Sequence, residues 1–275
     1  MAGISLLEAS LLFGGVVLAA VFGGILAGLL GVGGGIVFVP TLFWVFLAIG
    51  LDNSISMHVA VATSLATIVA TSISSARAHH KRGAIDLALM RAWGPWLAVG
   101  ALVGGGVASA LNTKVLLLVF GAVGLLVAFN FVRPHSLVLA QQPPRRALTQ
   151  APIAFSIGGI SAVMGIGGGT LSVPVLSACS VPIHRAVGTA ASFGVIIAVP
   201  AVIALVIGGW GINGRPPGSL GYVNVIAAIL ILTISTRMAP VGAYLAHALD
   251  ARWIKRAFAL FLALTSARML WTALG

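Results

Sequence analysis

The sequence predicts an all-α polytopic membrane protein made of two repeats, and three observations lead to this prediction. Hydrophobic residues make up 60% of the 275-residue chain, charged residues only 7%, and the mean hydropathy is +1.15. Soluble proteins average about 25% charged residues. Uncharged runs such as 11–30 reach the roughly 20 residues that a helix needs to cross a hydrocarbon core. The third observation is an internal duplication.

The duplication is marked by a glycine-rich break that is followed, in both copies, by a proline. GVGGG at 31–35 with Pro40 matches GIGGG at 165–169 with Pro174, at an offset of 134 residues. Further matched pairs follow in the same order: His58 and His184, Thr63 and Thr189, Asp86 and Asn224, Phe120 and Phe258. These matches predict a first repeat over 1–132, a linker over 133–150 and a second repeat over 151–275.

Each half is predicted to form a broken hydrophobic segment followed by three helices. In the first half these are 9–50, broken near 31–35, then 57–76, 84–110 and 114–132. In the second half they are 151–182, broken near 165–169, then 185–208, 220–249 and 252–272. Glycine is a poor helix former and proline a poorer one, so each first segment becomes a helical hairpin.

The loop cations indicate how the two halves face. If each broken segment crosses once, seven loop cations lie on one side and five on the other. If each returns to the face it entered, ten lie on one side and only Lys114 and Arg215 on the other. Cytoplasmic loops carry the excess of Lys and Arg. The count predicts inverted repeats in the cell (inner or plasma) membrane, with a cytoplasmic linker and both termini opposite, and leaves open whether the hairpins are re-entrant or fully spanning.

The two glycine breaks are the candidate substrate site. Irregular backbone at membrane depth persists only where it is buried in protein or lines a wet cavity, and interrupted helices meet at the substrate of many inverted-repeat transporters. The helices that restart after the breaks direct free N–H groups there, which favours an anion. The candidate residues are Gly33, Gly34, Gly35, Gly167, Gly168, Gly169 and Thr170. The alternative role of such glycines is close helix packing.

Polar residues early in the second helices are further candidates. Hydroxyl groups able to donate to an oxyanion belong to Thr63, Ser64, Thr189 and Ser192, with hydrogen bonding within and between helices as the alternative. The repeat-related His58 and His184 head these helices and are candidates for proton coupling. Their alternative role is that of polar residues at the membrane interface.

Arg237 lies in the third helix of the second half without an acidic neighbour in sequence. Because a charge at the bilayer centre costs at least roughly 2.5–3.5 kcal/mol, we expect it to attract the anion or to contact backbone carbonyls. Asp86 and Asn224 are predicted to cap the third helices. No cofactor or metal site is expected, because Cys179 is the single cysteine and the histidines at 79–80 belong to a predicted solvated loop.

The chain resembles the TauE/SafE-type sulfite exporter family of membrane permeases. The resemblance rests on the doubled G-x-G-G-G with its proline, the second helices with His and Thr, and the openings GAID at 83–86 and GYVN at 221–224. It implies transport of sulfite, an organosulfonate or another small anion. It does not specify the substrate, the direction of transport, the coupling ion or the oligomeric state.

The leading hypothesis is therefore a secondary transporter of a small anion that works by alternating access, and not an enzyme. An anion channel is the alternative, and a membrane-embedded enzyme is disfavoured because H-E-x-x-H, G-x-S-x-G and paired intramembrane carboxylates are absent. No P-loop motif is present, so the energy would come from a gradient or an ATPase partner. The formal charge of +11 reflects loops facing the lipid surface and not nucleic-acid binding.

Overall fold

The structure, a computed structural model, describes residues 6–132, 140–144, 146–248 and 251–275. Within these ranges the chain forms ten α-helices and one β-hairpin. In chain order they are α1 (Leu6–Leu30), α2 (Gly35–Ala48), α3 (Asn53–His80), α4 (Leu87–Ala110), α5 (Thr113–Val132), α6 (Ala147–Met164), α7 (Gly169–Ala178), α8 (Ile183–Gly208), β1 (Ser219–Leu220), β2 (Val223–Asn224), α9 (Val225–Ala248) and α10 (Ala251–Leu274). The prediction of an all-α polytopic membrane protein is confirmed.

Helix length distinguishes the elements long enough to cross a membrane from the short arms that follow the glycine breaks. Among the described residues, six helices are long and apolar enough to cross: α1, α3, α4, α5, α8 and α9. In contrast, α2 has 14 residues and α7 has 10, so at 1.5 Å per residue they span about 21 and 15 Å. A hydrocarbon core is about 30 Å thick. The second arm of each broken segment is therefore too short for a full crossing.

The two halves are interlocked, because the first helix of each packs along the third helix of the other. α1 lies on α9, with Gly28 against the backbone of Ala239, and α6 lies on α4, with Gly104 against Gly159. A Cβ at either Gly28 or Gly104 would overlap the partner's backbone. Small residues allow this close approach of helices in membranes.

The directions of the helices follow from contacts at two depths. Along α3 and α9, Thr63 bonds Asn224 and Ser74 bonds Thr236, so these two helices run the same way. Between α3 and α8 the order is reversed.

That reversal is seen at the start and middle of α8. Gly188 lies against Ala84, beyond the end of α3, whereas Gly194 lies against Ser72, within α3. α3 and α8, the matched second helices of the two halves, therefore run in opposite directions through the centre of the bundle.

The second half departs from the predicted boundaries in two places. Its third helix, predicted over 220–249, begins only at Val225, because Ser219–Asn224 forms an antiparallel hairpin. Gly221 turns this hairpin with φ +56°, a conformation that glycine adopts readily. Of the predicted linker, 133–139 and 145 lie outside the described residues, and α6 already begins at Ala147.

The outward faces of the bundle are apolar, as a lipid-facing surface requires. Large side chains exposed on these faces include Phe22, Leu126, Ile226 and Trp271. Serine and threonine side chains are instead buried along α3, which lies at the centre. The interior is still mainly apolar, and α3 brings a row of buried hydroxyl groups into it.

Candidate functional site

The two glycine breaks meet inside the bundle. A Cβ at Gly33 would lie 3.2 Å from the Cα of Gly167, and one at Gly35 would lie 2.5 Å from the carbonyl oxygen of Gly165. In the corresponding place Gly169 lies against Gly31. We call the segments 31–35 and 165–169 together the glycine crossing, and all ten of its residues are buried.

The two segments turn differently although their sequences match. In the first, Gly31, Gly33 and Gly34 all have positive φ, from +68° to +81°. In the second, only Gly165 does, with φ +71°; its N–H bonds Ala162 and the next N–H bonds Ser161. This is the glycine-terminated helix end called a Schellman motif. The left-handed positions explain why glycine occupies these sites.

Hydroxyl groups from α3 cap carbonyl groups of the glycine crossing. Ser64 Oγ donates to the carbonyl oxygen of Gly165 at 2.7 Å, and Thr71 Oγ1 lies 3.1 Å from that of Gly33. The neighbouring Thr67 instead bonds back to its own helix, at the carbonyl of Ser64. Ser64, predicted as a donor to the substrate, donates in this structure to a carbonyl oxygen of the glycine crossing.

Four N–H groups at the starts of α2 and α7 are not capped in this way. Within the described chain, no protein acceptor bonds the N–H groups of Gly35 and Ile36 at the start of α2, or of Gly169 and Thr170 at the start of α7. All four residues are buried. The first N–H groups of any helix lack intrahelical partners, and here no capping side chain supplies one.

Buried hydroxyl groups add to this surplus of donors. Among the described side chains, Thr170 Oγ1, Ser172 Oγ and Ser72 Oγ are buried without a hydrogen-bond partner. Thr170 belongs to the first turn of α7, and Ser72 lies 3.3 Å from the Cβ position of Gly33. The glycine crossing thus offers buried N–H and O–H donors, which an anion accepts and a cation does not.

The matched threonines hold the two halves together. Thr63 Oγ1 accepts the backbone N–H of Asn224, and Thr189 Oγ1 accepts that of Asp86, both at 2.9 Å. The side chains of Asn224 and Asp86 cap the N–H groups three residues on, which confirms the predicted capping role. Each threonine therefore fixes the start of the other half's third helix.

The matched histidines lie in unlike surroundings. His58 is buried, donates from Nε2 to the carbonyl oxygen of Leu111 at 2.7 Å and stacks on Tyr222 at 4.9 Å. Burial raises the pKa of the Tyr222 phenol above its ordinary value, so the ring is neutral at physiological pH. His184, in contrast, is exposed at the start of α8.

Two other sequence-predicted residues have different positions. Ser192 is buried on α8, three residues beyond Thr189. Arg237 is exposed on α9, whereas Ser235 two residues before it is fully buried against α1. The structure does not bring Arg237 to the buried glycine crossing.

One polar contact was not found from the sequence. His79, expected in a solvated loop, is buried in the last turn of α3, and its Nε2 donates to the carbonyl oxygen of Gly28 at 2.8 Å. One turn earlier, Ser75 bonds the carbonyl of Ala27. These two side chains cap the end of α1 just before its glycine break. Ser75 and His79 are four residues apart on a mostly apolar helix, a spacing that places both side chains on one face. This spacing could have indicated the contact from the sequence.

The match to a known family covers both halves and the glycine crossing. The model of the family described as "Sulfite exporter TauE/SafE" matches residues 16–269. The chain belongs to this family. A relative from Haemophilus influenzae, named "Probable membrane transporter protein", is 33% identical over 257 residues, which cover 92% of this chain and 96% of the relative.

Other relatives of this TauE/SafE protein come from distant organisms. YunE of Bacillus subtilis, a "Probable membrane transporter protein", is 29% identical over 182 residues, 58% of this chain and 65% of YunE. A protein of that description from Methanocaldococcus jannaschii is 28% identical over 180 residues, 63% and 64% of the two chains. No solved structure matches the chain. The chain is a transmembrane transporter of the TauE/SafE family.

Proposed function

We propose that the protein is a secondary transporter of a small anion, sulfite or an organosulfonate, that binds it at the glycine crossing. The observation that carries the proposal is the set of buried N–H groups at the starts of α2 and α7 that no acceptor of the described chain bonds. Two helices also begin there, and a helix N-terminus carries a partial positive charge. Ser64 and Thr71 donate to two of the carbonyl oxygens that a cation would otherwise use.

The proposal gives the predicted site residues distinct roles. Backbone donors come from Gly33, Gly34, Gly35, Gly167, Gly168, Gly169 and Thr170, with the hydroxyls of Thr63, Ser64, Thr189 and Ser192 around them. Proton coupling is proposed for His58 and His184, and attraction of the anion for Arg237. The exposed position of Arg237 makes this last role the first to test.

We further propose that the halves are inverted repeats. Two findings support this: α3 and α8 run in opposite directions, and the loop cations divide ten to two only when the halves are inverted. The hairpins would then enter from opposite faces and meet at the glycine crossing. The linker would be cytoplasmic in the inner or plasma membrane, with the termini opposite.

Cysteine accessibility tests this topology. In a chain carrying Cys179→Ser, Lys81→Cys and Asn213→Cys are introduced one at a time, since both positions are exposed. An impermeant maleimide should label Asn213→Cys in intact cells and Lys81→Cys only after the membrane is opened. Labelling of both from the same face would refute the inversion.

Flux through proteoliposomes tests the substrate class. We expect saturable, gradient-dependent uptake of sulfite or organosulfonates from a panel that also contains thiosulfate and carboxylates. An anion channel, the alternative, would give flux that does not saturate and a conductance in planar bilayers. Transport of carboxylates with no flux of any sulfur oxyanion would contradict the proposed substrate.

A further inference from the structure

A groove of about 710 Å³ opens along the seam between α3 and α9, a volume typical of ligand pockets, which range over about 300–1,000 Å³. On α3 it is lined by Ile73 and Arg77, whereas Ser72 faces the glycine crossing. The seam is held by Ser74 Oγ, which donates to the carbonyl oxygen of Thr236 at 2.8 Å. The groove is therefore separate from the proposed transport site.

The groove changes character along its length. Its deeper wall is apolar, formed by Ala70 and Ile73, and its outer rim carries Arg77, Lys81 and Arg82. Pro240 lies four residues beyond Thr236 on the parallel α9 and is therefore nearer the rim. Because α3 ends at His80, Ala70 lies about 15 Å below the helix end at 1.5 Å per residue. The apolar wall therefore reaches about halfway into a hydrocarbon core of about 30 Å, while the cations lie at the membrane surface.

The cations of the rim are not neutralised within the groove, since none of the residues that line it is acidic. Asp86, which follows six residues after the end of α3, is paired instead with Arg185 at 3.0 Å. The three basic side chains are exposed and lie within six residues of one another, so an anionic group at the rim would be close to all three charges.

Arg237 flanks the same groove. It precedes the lining residue Pro240 by three positions, a spacing that places two side chains on one face of a helix. The bond between Ser74 and Thr236 sets it level with the last turns of α3, near Arg77. From that depth its long side chain can extend to the polar surface, so its charge adds to the rim.

We propose that this groove binds an anionic phospholipid, with the phosphate on Arg77, Lys81 and Arg82 and an acyl chain along the apolar wall. Basic pockets between transmembrane helices recognise anionic headgroups, and clusters of Lys and Arg next to a helix end concentrate them. The deep apolar wall distinguishes this ligand from a soluble anion. A soluble anion has no acyl chain, so it would leave the apolar wall without an apolar partner.

Native mass spectrometry of the purified full-length protein tests the proposal with phosphatidylglycerol and phosphatidylcholine as probes. Wild type should retain phosphatidylglycerol selectively. Arg77→Gln with Lys81→Gln and Arg82→Gln should weaken its binding at least about tenfold, given the contribution of each cation at an anionic surface. The charge-matched control replaces Arg91, Lys114 and Arg146, all exposed and outside the groove, by Gln and should bind as wild type does.

A second variant keeps every charge and fills the groove. Ala70→Trp should displace the acyl chain and lower phosphatidylglycerol binding. This variant keeps the test decisive if the triple variant does not fold, a failure that size-exclusion chromatography would reveal. Equal binding of the two lipids by wild type, or an equal loss in the control, would overturn the proposal. Full competition by millimolar inorganic phosphate would also overturn it, because the ligand would then be a soluble anion.

Discussion

Gly35 has no room for a side chain at the point where α2 begins. A Cβ there would lie 2.5 Å from the carbonyl oxygen of Gly165 and 2.8 Å from the Cα of Ile166, whereas ordinary contact begins at 3.4 Å. Gly35→Ala therefore forces the two segments of the glycine crossing apart by 0.9 Å. Overpacking of this kind costs about 1–3 kcal/mol, and a displacement of about 1 Å in a site can cost about a hundredfold in rate.

Sulfite flux in proteoliposomes measures the effect. We expect Gly35→Ala to insert into the membrane but to transport sulfite about a hundredfold more slowly. Gly169 lies against Gly31 in the matched position, so Gly169→Ala should have the same effect. Gly106→Ala is the control, because it makes the same change within a helix where no atom lies within 4 Å of the new Cβ. Flux of Gly35→Ala within twofold of Gly106→Ala would refute the assignment of the glycine crossing as the transport site.

Three further predictions concern contacts between the halves and the exposed arginine. Thr63→Val and Thr189→Val each leave a backbone N–H without its acceptor and should each lower the free energy of unfolding by about 1–3 kcal/mol. Thr233→Val, whose hydroxyl bonds only its own helix, should cost clearly less; equal losses would contradict the role of the first two. Arg185→Gln breaks an ion pair in which the arginine side chain is 54% exposed, so the unfolding free energy should change by less than about 1 kcal/mol, and a larger change would show that the pair is structural. Arg237→Ala should raise the KM for sulfite, but less than Gly169→Ala does, because Arg237 is exposed and lies away from the buried glycine crossing; an unchanged KM would contradict its proposed attraction of the anion.

The sequence was sufficient for features that depend on local chemistry. Both helix breaks fall where the glycines are, and Asp86 and Asn224 cap helices as their positions predicted. Helix ends are determined by residues within one turn, so a single sequence contains the information.

Features that depend on which helix faces meet could not be predicted in this way. The contact of Gly35 with Gly165 joins residues 130 positions apart, and the bond from His79 to Gly28 depends on how α1 leans on α3. Arg237 was expected at the bilayer centre because it is central in its own helix. Its depth is set instead by the start of α9, beside Thr63.

The first helix of each half packs on the third helix of the other half, and this packing has a consequence for how such a chain is made and how it arose. During synthesis the first half enters the membrane with the glycine face of α1 uncovered, because its partner α9 has not yet been translated. Until then that face is open to lipid or to another helix, such as one from an insertase or a second copy. If the two halves descend from one half-length ancestor, as their matched sequences predict, that ancestor would have covered this face by pairing with a second copy of itself.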